Sequence, residues 1–344
     1  MVVPLPDYIQ GELKEMLLNM LNLDADKRST AKELLDTELM QFQAQIEREI
    51  QEKDKEKTRA DKSDREKSAL IEKFKLNQIE LDSIFASISV KGSSHNDEVI
   101  SQSEWIEMKI ELEKQERGTN AQIEQIRKEK IEICQKIIAY LLGKRDDENR
   151  KIAIDAGIID VLLLLLNTQP LESISPSYVW AFFIFTVPVS YEIKQYLAEK
   201  KSYPTLFHLL DHTNFIVLRR TVTSICNILA GGSDTTPINQ THPDFQAIAS
   251  CGGIDKLYSL FKKNEYEKIT NLCALSIGNL FKAKEITNIE MRKDIFAYLK
   301  FIYKDPNSAY RSNAKFSLKY LAENSVNRLE IEKDGFKFPE DEDY

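Results

Sequence analysis

Four cysteines and four histidines are the side chains of this 344-residue sequence best suited to act as nucleophile, base or soft metal ligand. Cys134, Cys226, Cys251 and Cys273 are scattered, no C-x-x-C pair occurs, and no histidine stands at metal spacing from any of them. A zinc site or a disulfide framework is therefore not expected, and free thiols buried in a reducing cytosol are. His208 and His212 are four apart, the spacing of a metal pair on a helix, but no third ligand accompanies them. Surface residues flanking a loop are the plainer reading. With His95 and His242 they form no triad with a serine or cysteine that spacing suggests, so no enzymatic chemistry, no metal and no cofactor is expected.

Binding chemistry is better represented. Arg311, Lys315 and Lys319 recur at i, i+4 and i+8, which puts three cations on one face of a helix. The chain closes on Glu340-Asp341-Glu342-Asp343-Tyr344, an acidic run. The cationic stripe is expected to receive an acidic segment, a partner's or this tail; the alternative is a solvated helix face. The net charge of −8 argues against a nucleic-acid or membrane-surface partner. Residues 131–330 are slightly basic, with 24 basic and 21 acidic side chains, and both ends are acidic. The first residues lack the basic-then-apolar pattern of a signal peptide, and the most apolar run, Tyr178 to Val189, is too short to cross a bilayer. A cytoplasmic protein is expected.

Long helices must carry these residues. Only 11 glycines and 10 prolines occur, and no proline lies between Pro6 and Pro170. That leaves too little punctuation for a turn-rich β fold. Residues 1–40 contain an apolar helical face, Leu13, Met16, Leu17, Met20 and Leu21, then a polar turn, then a second short helix capped by Ser29 or Thr30. The text Leu21, Asp24, Arg28, Thr30, Ala31, Glu33, Leu34 and Leu35 resembles the end of the protein kinase C-terminal lobe. Ala25 replaces the family's proline there, and Thr37-Glu38-Leu39 replaces His-Pro-aromatic. In that family the arginine pairs with the glutamate of an A-P-E motif. No A-P-E, Gly-rich phosphate loop, V-A-I-K, H-R-D or D-F-G occurs in this chain, so Asp24 and Arg28 imply a structural remnant and no kinase activity.

Residues 41–130 read as a charged helical spacer. They hold 37 charged side chains, and Ile50–Leu70 has only Ala60 and Ala69 between its ends, so that stretch is either an isolated helix held by ion pairs or disordered. An apolar face returns from Leu70 to Ile88. A further helix starts near Ser101 with Trp105, Met108 and Leu112 on one side, breaks near Gly118, and resumes through Ile123, Ile126, Ile133 and Ile137.

From about residue 131 a unit of roughly 40–50 residues recurs. One part is a short helix, a sharp turn and an apolar helix: Asp155-Ala156-Gly157-Ile158, Cys251-Gly252-Gly253-Ile254, and more weakly Lys201-Ser202-Tyr203-Pro204. The other is a longer helix, in copies at Val179–Phe185, Val222–Ala230, Leu272–Phe281 and Ala314–Ala322. Gly231 to Pro243 reads as an inserted loop. These units resemble armadillo repeats, about four of them over 131–330; HEAT repeats are the alternative, and the A-G-I and C-G-G-I turns favour armadillo. The resemblance implies an all-α solenoid whose third helices line a groove for an extended peptide or partner helix. Trp180, Asn227 and Asn279 match the Trp and Asn ladder of that groove. Ile184 stands where one Asn would be, and Thr223 and Leu275 replace the paired Trp, which speaks against nuclear-signal binding.

Residue by residue, the expectation is a kinase-like pair at 1–40, a spacer at 41–130, repeats at 131–330 and an acidic tail at 331–344. The function expected is a non-catalytic scaffold that binds a protein or peptide through Trp180, Asn227, Asn279, Arg311, Lys315 and Lys319. Two alternatives are the downstream fragment of an armadillo-bearing serine/threonine kinase, and a transport-receptor-like or cytoskeletal adaptor.

Overall fold

The computed structural model describes residues 100–187, 189–264 and 266–338. The helix pair expected around Asp24 and Arg28, the spacer from 41 to 99 and the last six residues lie outside them. Among the described residues every regular element is helical.

The helices run in order α1 (Gln102–Glu113), α2 (Asn120–Leu141), α3 (Asp147–Asp155), α4 (Ile158–Thr168), α5 (Pro176–Phe183), α6 (Tyr191–Glu199), α7 (Tyr203–Leu209), α8 (Phe215–Thr235), α9 (Phe245–Ser250), α10 (Gly253–Lys263), α11 (Glu267–Leu280), α12 (Ile289–Lys304), α13 (Arg311–Ala322) and α14 (Ser325–Glu332). Their starts are written in the sequence. Asp146, Ser175, Ser190, Asn214, Asn288 and Asn324 each accept a backbone N–H of the first turn that follows, as capping residues do. Pro176 opens α5 and Pro204 lies in the first turn of α7, where a missing N–H costs nothing.

Two compact units divide the chain, and Ile100–Lys130 falls with Asp146 onward, whereas Ile131–Arg145 belongs to the other. The sequence places the start of the repeats at 131. In the first unit named, α1 packs on α3 and α4, burying Trp105, Met108 and Leu112. In the other, the described part is the second half of α2, with Cys134, Ile137, Ile138 and Leu141 fully buried, and a turn at Gly143 (φ 73°).

From Asp146 onward three-helix groups follow one another: α3–α4–α5, α6–α7–α8 and α9–α10–α11. The first and second helices of each group join through one left-handed residue, Gly157 (φ 93°), Lys201 (φ 54°) or Gly252 (φ 70°). The last helices form a row, α5 on α8, α8 on α11 and α11 on α13. The second helices form another, α4 beside α7 and α7 beside α10. Each group packs its own helices together and buries its remaining apolar faces against its neighbours, so the result is an all-α solenoid. The middle of the row is the most enclosed: Ile269 to Leu280 of α11 are all buried.

Two features depart from the sequence reading. The fourth group has no first helix; the chain passes from α11 to α12 through residues 281–288 without one. Gly231 and Gly232, read as the beginning of a loop, instead continue α8 as far as Thr235. A Cβ on Gly231 would stand 2.7 Å from Lys194 Cβ, and one on Gly232 2.5 Å from His242 Nε2. These glycines serve close approach of neighbours, not a turn.

Candidate functional site

The row of last helices is the surface the sequence nominates. Along α8 from Arg219 to Asp234, partial or full access is kept by Arg220, Thr223, Asn227, Ala230 and Asp234, apart from Gly232 beneath the His242 ring. Spacings of three and four put these five on one face of the helix. A cation stands at one end of the stripe, an amide in the middle and a carboxylate at the other end. Of these, sequence reasoning singled out only Asn227. The 3/4 recurrence of less apolar residues in α8 was the signal for the rest.

Trp180 on α5 lies under this stripe. It is 3% exposed, and the Arg220 guanidinium sits 4.5 Å from its ring centroid and 4.5 Å from that of Phe183. Arg220 thus covers the indole face with a cation–π contact from the next repeat. Asn227 donates from Nδ2 to Thr186 Oγ1 at 3.1 Å, bridging α8 to the turn that ends α5. Asn279 on α11 is buried: its Oδ1 accepts from Ser317 Oγ of α13 at 3.0 Å, and its carbonyl accepts from Ser233 Oγ of α8 at 3.0 Å. Each asparagine is therefore a crosslink between consecutive members of the row.

At the far end of the stripe Asp234 accepts the Tyr320 phenol of α13. Burial, then this carboxylate, pushes the Tyr320 hydroxyl above its ordinary range, and the Asp234 charge does the same to Tyr191. The buried Lys282 ammonium pairs with Glu323 and lies 4.3 Å from the Tyr320 ring centroid. Glu323 also accepts the backbone N–H of Asn239 at 2.9 Å, which ties down the loop after α8. His242 of that loop donates from Nε2 to the Leu229 carbonyl (2.9 Å) and accepts the Asp244 N–H at Nδ1 (3.1 Å). Desolvation is the first cause that holds its pKa below the usual histidine value, so the ring is neutral.

The three expected cations do not join this stripe. Arg311 Nε donates to the Tyr303 carbonyl at 3.1 Å, and its guanidinium lies 5.5 Å from the Tyr303 ring, so it leans on α12. Lys315 and Lys319 follow it along α13, about 160–200° round the helix from Ser317, the residue that meets α11. The structure brings Trp180, Asn227 and Asn279 into one row and sets Arg311, Lys315 and Lys319 on the flank of α13 away from it.

His212 Nδ1 accepts the Asn214 N–H at 2.8 Å, at the cap of α8. Burial pushes Cys226 up to about 11 and Cys273 higher still, which favours the protonated, weakly nucleophilic thiol at both. Among the described residues no group of three His, Cys, Asp or Glu side chains is placed to hold a metal, and no helix is long and apolar enough to cross a membrane.

No protein family's sequence profile and no curated protein matches the chain. Among solved structures it is similar to a designed armadillo repeat protein in complex with the peptide (KR)4, at 18% identity and a TM-score of 0.43, over 83% of this chain and 99% of that one. It is also similar to computationally designed armadillo repeat proteins for modular peptide recognition, at 20% identity and a TM-score of 0.38, over 64% of this chain and 92% of the other. The solenoid described above stands on its own helix packing.

Proposed function

We propose that this chain is a non-catalytic binding scaffold of armadillo type, which holds an extended peptide segment of another protein along the row α5, α8, α11 and α13. The observation that carries the reading is the stripe on α8, where Arg220, Thr223, Asn227 and Asp234 keep access while their helix is otherwise enclosed. A rigid helix with polar groups at fixed spacing is what reads an extended main chain, whose own N–H and C=O groups need partners. Trp180 supports this from below, since Arg220 already occupies its ring face and presents a cation where the ladder would offer bare indole. That arrangement favours a segment bearing carboxylates over a basic one. Arg311, Lys315 and Lys319 lie on the flank of α13 and take no part in this reading. The domain reading that goes with this is a repeat region with its N-terminal end covered by α1.

The test is a peptide array of ten-residue segments, half acidic and half basic, probed with the whole chain, followed by fluorescence anisotropy of the best binder. Asn227→Ala is expected to weaken that binder about 3- to 10-fold, the worth of one or two hydrogen bonds. Binding unaffected by both Asn227→Ala and Thr223→Ala, or confined to basic segments, would remove the reading.

A further inference from the structure

Beside the missing first helix of the fourth group lies an open cleft of about 340 Å³. Phe245 at the start of α9, Ile254 at the start of α10, Phe281, Ile286 and Met291 make its walls. The same location in the second group holds α6, which buries Ile193 and Leu197 and packs on α3 and α8. Residues 281–288 only partly replace such a helix. They reach forward to α14, where Asn327 donates to the Lys284 carbonyl at 2.8 Å and accepts the Ile286 N–H at 3.3 Å.

Charge shows what the cleft lacks. Asp160 stands three residues after the left-handed Gly157, in the first turn of α4. It pairs at 2.7 Å with Lys200, the residue that closes α6 in the next group. Asp255 stands three residues after the left-handed Gly252, in the first turn of α10. It is the same position two groups on, and it is exposed at the rim of the cleft. No first helix follows in the fourth group to bring it a lysine. Lys284 on the opposite rim lies over the Phe245 ring, and Glu285 is held by Arg292.

We propose that this cleft docks a short amphipathic helix of a partner protein, carrying an aliphatic pair four residues apart and ending in lysine or arginine. The helix completes the fourth group as α6 completes the second: its aliphatic pair enters between Phe245, Ile254 and Met291, and its terminal cation meets Asp255. The surface is distinct from the α8 stripe, and the proposal does not rest on peptide binding there.

The probe is the chain's own example of such a helix, an acetylated and amidated peptide of residues Ser190–Lys201, titrated into the whole chain labelled at isoleucine and methionine methyl groups. Saturable shifts at Ile254, Ile286 and Met291 are expected. The Lys200→Glu form of the peptide should bind at least about fivefold more weakly, and Asp255→Lys in the protein should restore it. No shift at those methyls up to millimolar peptide overturns the proposal. So does equal binding of the two peptides, or movement confined to α5, α8 and α11. A peptide array that fails on the α8 stripe while these methyls shift would remove the function proposed above and leave this one standing.

Discussion

Asn279 of α11 and Ser317 of α13 meet through a 3.0 Å hydrogen bond, and Gly278 lies beside it with no side chain to hold the helices apart. A Cβ at Gly278 would sit 2.7 Å from Ser317 Cβ and 3.2 Å from Leu299 Cδ1. The spacing between the third and fourth members of the row is therefore set by one missing methyl group.

Gly278→Ala is expected to destabilise the chain by about 1–3 kcal/mol, the usual cost of overpacking, despite the higher helix propensity of alanine. Urea unfolding of the two proteins measures it. A neutral or stabilising outcome would mean that α13 moves away at no cost.

Lys201 adopts a left-handed backbone (φ 54°) at the turn where the other two groups use glycine. A Cβ in that conformation costs about 1 kcal/mol. Lys201→Gly should raise stability by about 0.5 kcal/mol after the entropy of glycine is counted, and Gly157→Ala should lower it by about 1 kcal/mol. Thermal melts of both variants would show opposite shifts, and shifts of the same sign would disprove the shared role.

His242 is buried and neutral, and its folded pKa lies below its unfolded value near 6.5. Below pH 6.5 the unfolded chain binds a proton that the folded chain does not. This contribution is whole above pH 6.5 and is lost as pH falls from there toward the folded pKa. The urea midpoint should drop between pH 7.5 and 5, and His242→Gln should show a shallower drop. Equal slopes in the two proteins would exclude the ring as the source.

Lys282 and Glu323 form a buried pair, with the side chains 2% and 12% exposed. Removing one partner leaves the other charge uncompensated, so Glu323→Leu should cost about 3 kcal/mol, whereas Lys282→Met with Glu323→Leu should recover most of it. A double-mutant cycle by chemical denaturation gives the coupling. Additive losses would place the pair in a solvated setting instead.

Gly157 and Gly252 were legible in the sequence because a left-handed turn between two apolar runs has few residues that fit it. The long last helices were legible because their leucines and isoleucines repeat at helical spacing. Gly231-Gly232 misled for the same reason that Gly157 did not: a glycine chosen for a neighbour's approach and one chosen for its φ are written alike. The cations at 311, 315 and 319 do share a helix face, as spacing requires, yet spacing says nothing about which neighbour that face meets.

The sequence by itself determined the all-α repeat, its turns and its caps, since these follow from interactions within a few residues. Only the tertiary structure decided that Arg220 covers Trp180, that Asn227 and Asn279 crosslink neighbouring helices, and that Asp255 lacks the lysine given to Asp160. Each of those depends on a side chain about 35–45 residues away, brought near by stacking, and no local pattern records which of two equivalent neighbours is present.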